Sequence, residues 1–258
     1  MPLVFCPLAS GSKGNCLFLQ TDKSKLLIDL GLSFRQLQKR LSEIGEDVEN
    51  IDAVMITHEH MDHISGLKVF SEKTNVPILV NADTAKGIYH SLHKLLNFKI
   101  FTTNEEFAFQ DVKIDPFTIQ HDTLDPVGFV IKTKKHKIGI CADLGIVTSL
   151  VKKKLQKCDL LYIEANHEVD HVYSSARPEI YKERVLGRQG HLSNEECALL
   201  IKEVHHEDLK TVYLAHLSSE CNSPQRALKT IQDILQKDKL NIKLFVAHQG
   251  KVSDIVKL

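Results

Sequence analysis

The sequence predicts an α/β protein in which two β-sheets carry helices on their outer faces, as one domain over residues 1–258. Three observations lead there. Short apolar runs set off by Gly, Asn and Asp alternate with stretches whose apolar residues recur at helical spacing, the pattern of strands mixed with helices. A chain of 258 residues can bury one substantial core and remain a single domain. No internal repeat, low-complexity tract or linker divides it.

The elements follow in order. Leu3–Leu8 reads as a strand, Gly11-Ser12-Lys13-Gly14-Asn15 as a turn and Cys16–Gln20 as the returning strand. Lys25–Asp29 is the next strand, ending at Gly31. Phe34, Leu37, Leu41 and Ile44 then mark an amphipathic helix that stops near Gly45. Ile51–Thr57 is an apolar run suited to a strand buried on both faces. Pro77–Val80 reads as strand, Ala82–Leu96 as helix, and Lys99–Thr102 and Val112–Ile119 as strands. Val127–Thr133 and Lys137–Cys141 form a hairpin, and Leu160–Glu164 is another buried strand. Glu195–Val204 is a helix capped by Ser193-Asn194-Glu195-Glu196, Thr211–Leu217 a strand, Pro224–Leu235 a helix and Ile242–Ala247 the last strand.

Composition narrows the class. With 43% hydrophobic and 26% charged residues, disordered and fibrous classes are excluded. Lys plus Arg equals Asp plus Glu at 33 each, so a nucleic-acid surface would have to be a local patch. The six cysteines (Cys6, Cys16, Cys141, Cys158, Cys197, Cys221) include no CxxC pair and sit mostly among apolar residues, the placement of buried reduced thiols. The opening Met1–Cys6 lacks the charged lead of a signal peptide, and no apolar run approaches the roughly 20 residues of a membrane helix. A cytoplasmic protein is expected, with no membrane partner. Oligomeric state is not encoded in any pattern here.

The unusual count is 14 histidines, and histidine is the commonest metal ligand. Three of them fall in the run His58-Glu59-His60-Met61-Asp62-His63, directly after a buried strand. His58 and His60 alternate as on an extended segment, so both can point one way, while Asp62 and His63 can face a second ion. Imidazole with carboxylate suits Zn²⁺, Mn²⁺ or Fe. So short a loop cannot encircle two metals, and the remaining ligands should lie at the ends of later strands. His121 follows Phe117–Gln120, Asp143 follows Ile138–Ala142, and His216 follows Val212–Ala215. Three ligand-type residues in the same relation to apolar strands point to convergence on one centre.

The order HxHxDH, His, Asp, His resembles the metallo-β-lactamase superfamily along nearly the whole chain. The resemblance implies an αββα sandwich and two divalent ions (Zn²⁺ or Mn²⁺, with Fe possible). It assigns His58, His60 and His121 to one metal, and Asp62, His63 and His216 to the other. Asp143 would bridge them, and a hydroxide between the ions would be the nucleophile.

Four further motifs narrow the family: Ser10-Gly11-Ser12-Lys13-Gly14-Asn15-Cys16, Glu164-Ala165-Asn166-His167, Gly190-His191-Leu192-Ser193-Asn194 and Ala215-His216-Leu217-Ser218. Together they resemble the WalJ (YycJ) family, described as metal-dependent 5′→3′ exonucleases on double-stranded DNA. The resemblance implies nucleic acid, with double-stranded DNA ends, as the partner. The Glu164, His191 and His216 elements are also similar to RNase Z, in which a glutamate positions a proton-donating histidine. Asp62 is then the candidate base, and His191, oriented by Glu164, the candidate acid toward the departing 3′ oxygen. A helix-capping loop is the plainer reading of His191. Ser10, Ser12 and Asn15 read either as substrate contacts around an anion-binding turn or as a plain hairpin. Asn166 and His167 read as substrate contacts or as loop structure. Arg177, Lys182, Arg184 and Arg188, interleaved with Tyr173 and Tyr181, read as phosphate contacts, Arg184 foremost, or as a solvated helix face. His90, His93, His136, His171, His205 and His206 read as surface residues, and His248 has no matched role. An RNase Z-like ribonuclease and a thioesterase or lactonase of the glyoxalase II kind are the alternatives.

Overall fold

The computed structural model describes residues 2–258; Met1, the first residue of the opening stretch, lies outside them. The chain runs β1 (Val4–Ala9), β2 (Cys16–Gln20), β3 (Lys25–Ile28), α1 (Phe34–Glu43), β4 (Ala53–Met55), α2 (Met61–Ile64), α3 (Leu67–Lys73), β5 (Ile78–Asn81), α4 (Ala82–Leu92), β6 (Phe98–Phe101) and β7 (Phe107–Phe109). It continues through β8 (Val112–Thr118), β9 (Val127–Lys132), β10 (Lys137–Cys141), α5 (Ser149–Leu155), β11 (Leu160–Glu164), α6 (Val169–Ser174) and α7 (Glu179–Leu186). It ends with α8 (Asn194–Val204), β12 (Thr211–Ala215), α9 (Pro224–Lys237), β13 (Lys243–Val246) and β14 (Val256–Lys257). The strands form two sheets, in the orders β14-β1-β2-β3-β4-β5-β6 and β13-β12-β11-β10-β9-β8-β7.

Two compact units divide the chain. The first holds Met1–Pro116, Thr123–Val127 and Ala247–Leu258. Its sheet begins as an antiparallel meander, β1 against β2 and β2 against β3, and turns parallel from β3 through β6. Parallel neighbours require crossovers, and α1, α2 with α3, and α4 supply them. Strand β4 is buried throughout, as a strand covered on both faces must be. Leu27, Val54, Ile56, Phe70, Val80 and Ile88 share one core here, each wholly shielded from solvent. Burial of each such side chain stabilises the unit by roughly 1.5–3 kcal/mol.

The second unit holds Phe117–Asp122 and Gly128–Val246. Strands β9 and β10 form the expected antiparallel hairpin, and β10, β11, β12 and β13 run parallel, linked by α5, α8 and α9. Strands β11 and β12 are buried at every position. Phe117, Ile163, Leu214, Cys197, Ile201 and Ile231 belong to its core. The expected cap of α8 is present: the Ser193 hydroxyl accepts from the Glu196 N–H at 3.2 Å and the Glu196 carboxylate from the Ser193 N–H at 3.1 Å. All six cysteines are buried and free. Among the described residues no helix is long and apolar enough to cross a membrane.

The departures from expectation have local causes. The helix expected to reach Leu96 stops at Leu92, because His93 takes the left-handed conformation (φ 50°) and its N–H caps on Tyr89. Short elements were not anticipated. Helix α5 buries only Val151 and Leu155, and α6 and α7 bury one side chain each, so neither shows a readable period.

Candidate metal centre

The first unit gathers one cluster of ligand-type residues at the ends of β3 and β4. His58, His60, Asp62 and His63 occupy the loop after β4 and the opening of α2, which starts at Met61 because His60 is still extended (φ −62°, ψ 145°). The rings of His58 and His60 lie 4.8 Å apart and those of His58 and His63 4.0 Å apart. Asp29, just past β3, accepts from His63 Nδ1 at 2.8 Å. The same carboxylate accepts from the Thr57 N–H at 2.9 Å and from its hydroxyl at 2.9 and 3.0 Å. Thr57 Oγ1, its proton committed to Asp29, then accepts from His58 Nδ1 at 3.0 Å. Both imidazoles therefore carry their proton on Nδ1, the support that metal-binding histidines usually have. The Nε2 of His58 has no hydrogen-bond partner, whereas that of His63 accepts from Asn15 Nδ2 at 2.9 Å, a bond that a metal there would displace.

Asn15, read from the sequence as a substrate contact or part of a plain hairpin, braces the loop. Its N–H donates to the Asp62 carbonyl at 2.7 Å and its Nδ2 to the Asp62 carboxylate at 3.1 Å, while Oδ1 accepts from the Gly11 N–H at 2.7 Å. The Gly11–Asn15 turn is likewise committed internally: the Lys13 N–H donates to Gln249 Oε1 at 2.8 Å and the Gly14 N–H to the Gly11 carbonyl at 3.0 Å. These bonds engage the N–H groups of Gly11, Lys13, Gly14 and Asn15 within the protein. Ser10 is buried with its N–H on the His248 carbonyl, and Ser12 is exposed. Close packing enforces the arrangement, since a Cβ on Gly31 would lie 1.7 Å from the Asp62 carbonyl oxygen.

The second unit carries its own cluster, again at strand ends. His121 follows β8, Asp143 follows β10, Glu164 closes β11 and His216 follows β12. Asp143 Oδ1 lies 3.3 Å from His216 Nδ1, 3.7 Å from His191 Nδ1 and 3.9 Å from His121 Nε2. His121 Nδ1 donates to the Gly190 carbonyl at 3.2 Å, which again frees Nε2 for a ligand. Asp143, Glu164, His191 and His216 each offer a ligand atom, all within 4.8 Å of one another.

Glu164 is the hub. It is wholly buried, and its Oε1 receives His191 Nδ1 at 2.8 Å and His216 Nδ1 at 3.0 Å. Oε2 accepts from the backbone N–H groups of Leu144 at 2.7 Å and Leu192 at 3.1 Å. Burial alone would push this carboxyl up. The charge of His191 and the bonds from both histidines outweigh it and hold Glu164 well below the usual carboxylate range. For His191, burial opposes the charged form, yet Glu164 beside it raises the imidazole above its ordinary value. Glu164 is therefore an anion that sets the orientation of two rings.

Asn166 and His167, the other residues of that motif, are buried. Asn166 Nδ2 donates to the His216 carbonyl at 2.8 Å and its own carbonyl accepts from the Ser218 N–H at 2.8 Å, so it builds the loop that bears His216. The His167 carbonyl accepts from the Asn194 N–H at 2.9 Å, and its ring is 1% exposed with no hydrogen bond to Nδ1. Arg184 is exposed, but its Nε donates to Asp122 at 2.7 Å. Of the histidines expected at the surface, His90 and His93 are exposed and His136, His171, His205 and His206 half-buried.

Three of these strand-end residues share a backbone feature. Asp29 (φ 61°), Asp143 (φ 54°) and His216 (φ 52°) all adopt the left-handed conformation, which is uncommon outside glycine. The donor chemistry fits a metal: buried imidazoles with fixed tautomers beside carboxylates, and no thiolate among them. Two groups missing from the sequence reading are Asp29 and Thr57. Asp29 follows an apolar strand just as Asp143 does, so the signal was available.

A family model described as a beta-lactamase superfamily domain matches residues 24–217. The chain is 31% identical over 238 residues to an exodeoxyribonuclease YycJ of Bacillus anthracis, covering 92% of this chain and 90% of that protein. It is 34% identical over 239 residues to an exodeoxyribonuclease WalJ of Streptococcus pneumoniae, covering 91% and 89%. The structure resembles that of the metallo-beta-lactamase fold protein YhfI from Bacillus subtilis, with a TM-score of 0.74 at 15% identity over 100% and 99% of the two chains. That likeness shows the fold expected from the sequence.

Proposed function

The chain belongs to the beta-lactamase superfamily, and from that premise we propose that it is a metal-dependent nuclease, acting as a 5′→3′ exonuclease on double-stranded DNA. The observation that carries the reading is the Glu164 carboxylate shared by His191 and His216, a buried anion holding a proton donor beside a ligand-type histidine. Relatives covering about nine-tenths of the chain are named exodeoxyribonucleases, which supports DNA as the substrate.

In this reading residues 1–258 work as one hydrolase domain holding two divalent ions, Zn²⁺ or Mn²⁺. His58, His60 and His121 would hold one, Asp62, His63 and His216 the other, with Asp143 bridging. When bound, the ions supply an activated water and a positive field for the developing charge on phosphate. The protein's own groups do the rest. Asp29 and Thr57 fix the rings of His63 and His58, and Glu164 fixes that of His216. Asp62, steadied by Asn15, accepts the proton of the attacking water. His191 bonds Glu164 through Nδ1, so its Nε2 is the atom that gives a proton to the departing 3′ oxygen. A thioester needs no such donor, because a thiolate leaves without being protonated. Buried free thiols fit a reducing compartment, the cytoplasm.

The test is cleavage of 5′-labelled duplex DNA, structured RNA, a p-nitrophenyl diester and lactoylglutathione under Mn²⁺ and Zn²⁺. Mononucleotides released from 5′ ends support the reading, whereas hydrolysis of the thioester alone overturns it. His191→Ala should lose DNA cleavage by about 10²–10⁴-fold while metal content stays near two per chain.

A further inference from the structure

The segment from Arg177 to Arg188 carries four basic side chains, and the structure separates one from the other three. Arg177 donates from Nε to Glu220 at 2.8 Å, with a second contact from its Nη2, and stacks over the Tyr181 ring at 5.1 Å. Lys182 donates to the Tyr173 carbonyl at 2.9 Å and lies 3.3 Å from Glu179. Arg184 is bound to Asp122 at 2.7 Å. Arg188 is exposed, and its guanidinium has no carboxylate or other polar partner among the described residues.

Its main chain, by contrast, is held tightly. The Gly190 N–H donates to the Gly187 carbonyl at 2.9 Å and the His191 N–H to the Val185 carbonyl at 3.0 Å, closing the turn that carries Arg188. A Cβ on Gly145 would lie 2.4 Å from the Arg188 carbonyl oxygen and 2.7 Å from the Gly190 nitrogen, so the turn is seated on backbone. The Gly190 carbonyl receives His121 Nδ1 at 3.2 Å, and the next residue is His191. A guanidinium with an open fork thus projects from a rigid turn that also supports a ligand-type histidine and the proton donor. Such a fork matches a phosphate in two-point geometry, which an exposed lysine does not.

We propose that Arg188, whose fork no carboxylate occupies, binds a backbone phosphate of the nucleic-acid substrate next to the scissile bond, without first having to give up an ion pair as Arg177, Lys182 and Arg184 would. The inference rests on the nuclease reading above. It is tested with the metal-loaded protein on labelled duplex DNA, by steady-state kinetics across a series of KCl concentrations. Arg188→Ala should raise KM about tenfold and hold kcat within about twofold. It should also shallow the dependence of log KM on log salt by about 0.9, the value of one phosphate contact on duplex DNA. Arg188→Lys should restore the salt slope while recovering KM only in part, and Arg177→Ala should change neither. Wild-type KM and salt slope in Arg188→Ala, on a protein that does cleave DNA, would overturn the proposal and leave the nuclease reading standing. A wild-type protein that cleaves no nucleic acid would overturn both.

Discussion

Replacing Glu164 with glutamine keeps the shape of the hub and removes its charge. The remaining carbonyl oxygen can still accept from the Leu144 and Leu192 N–H groups. The new amide group, however, faces His191 Nδ1 and His216 Nδ1, both of which now donate. Each ring must either lose its bond or move its proton to Nε2, the atom that His216 would offer a metal in the proposed centre. Two hydrogen bonds to a charged acceptor are lost, roughly 1.5–3 kcal/mol each. Loss of ring support of this kind typically lowers metal affinity by about 10–100-fold, and loss of an oriented acid slows a reaction by about 10²–10⁴-fold. Glu164→Gln should therefore show kcat/KM on duplex DNA reduced at least a hundredfold. It should also release metal on dialysis against a competitor that leaves the wild-type protein loaded. Two lost bonds of that size, about 3–6 kcal/mol together, should also lower the metal-free midpoint by roughly 6–24 °C, at ~2–4 °C per kcal/mol for a chain of this length. Activity within threefold of wild type at full metal content would refute the reasoning, since the charge would then be idle.

Other outcomes follow from neighbouring contacts. Asp29→Asn should weaken metal binding by about 10–100-fold through His63 with the sheet intact, as read by metal titration and circular dichroism. Gly31→Ala forces the Asp62 loop off its seat, because its Cβ would fall 1.7 Å from the Asp62 carbonyl oxygen, and should cost about 3 kcal/mol or more by denaturant titration. A thiol reagent should label none of the six cysteines in the native protein and all six once unfolded, since burial pushes Cys6 and Cys158 up to about 12 and Cys16, Cys141 and Cys197 higher still.

Much of this was legible in the chain because the fold puts its chemistry at the ends of apolar strands. His58 to His63, Asp143, Glu164 and His216 each follow a run of buried residues, and the linear pattern exposes that relation directly. Asp29 obeys the same rule but stands alone, without histidines beside it to draw notice. Asn15 and Asn166 were visible as motif residues, yet whether an asparagine amide meets a substrate or a backbone depends on tertiary contacts that spacing does not encode. Arg184 shows the same limit of spacing: a cation reads as open in a sequence until the fold brings Asp122 to it. Helices α6 and α7 escaped because a segment that buries one side chain carries no period.

The left-handed backbone of Asp29, Asp143 and His216 has a consequence for how this protein can be changed. Each such residue costs roughly 1–2 kcal/mol relative to glycine, a large fraction of the ~5–15 kcal/mol that separates a domain from its unfolded state. Directed evolution for heat tolerance alone would find relief at these positions first. Screens for thermostable variants should therefore carry a metal-binding counter-selection, or the hardiest survivors will be inert.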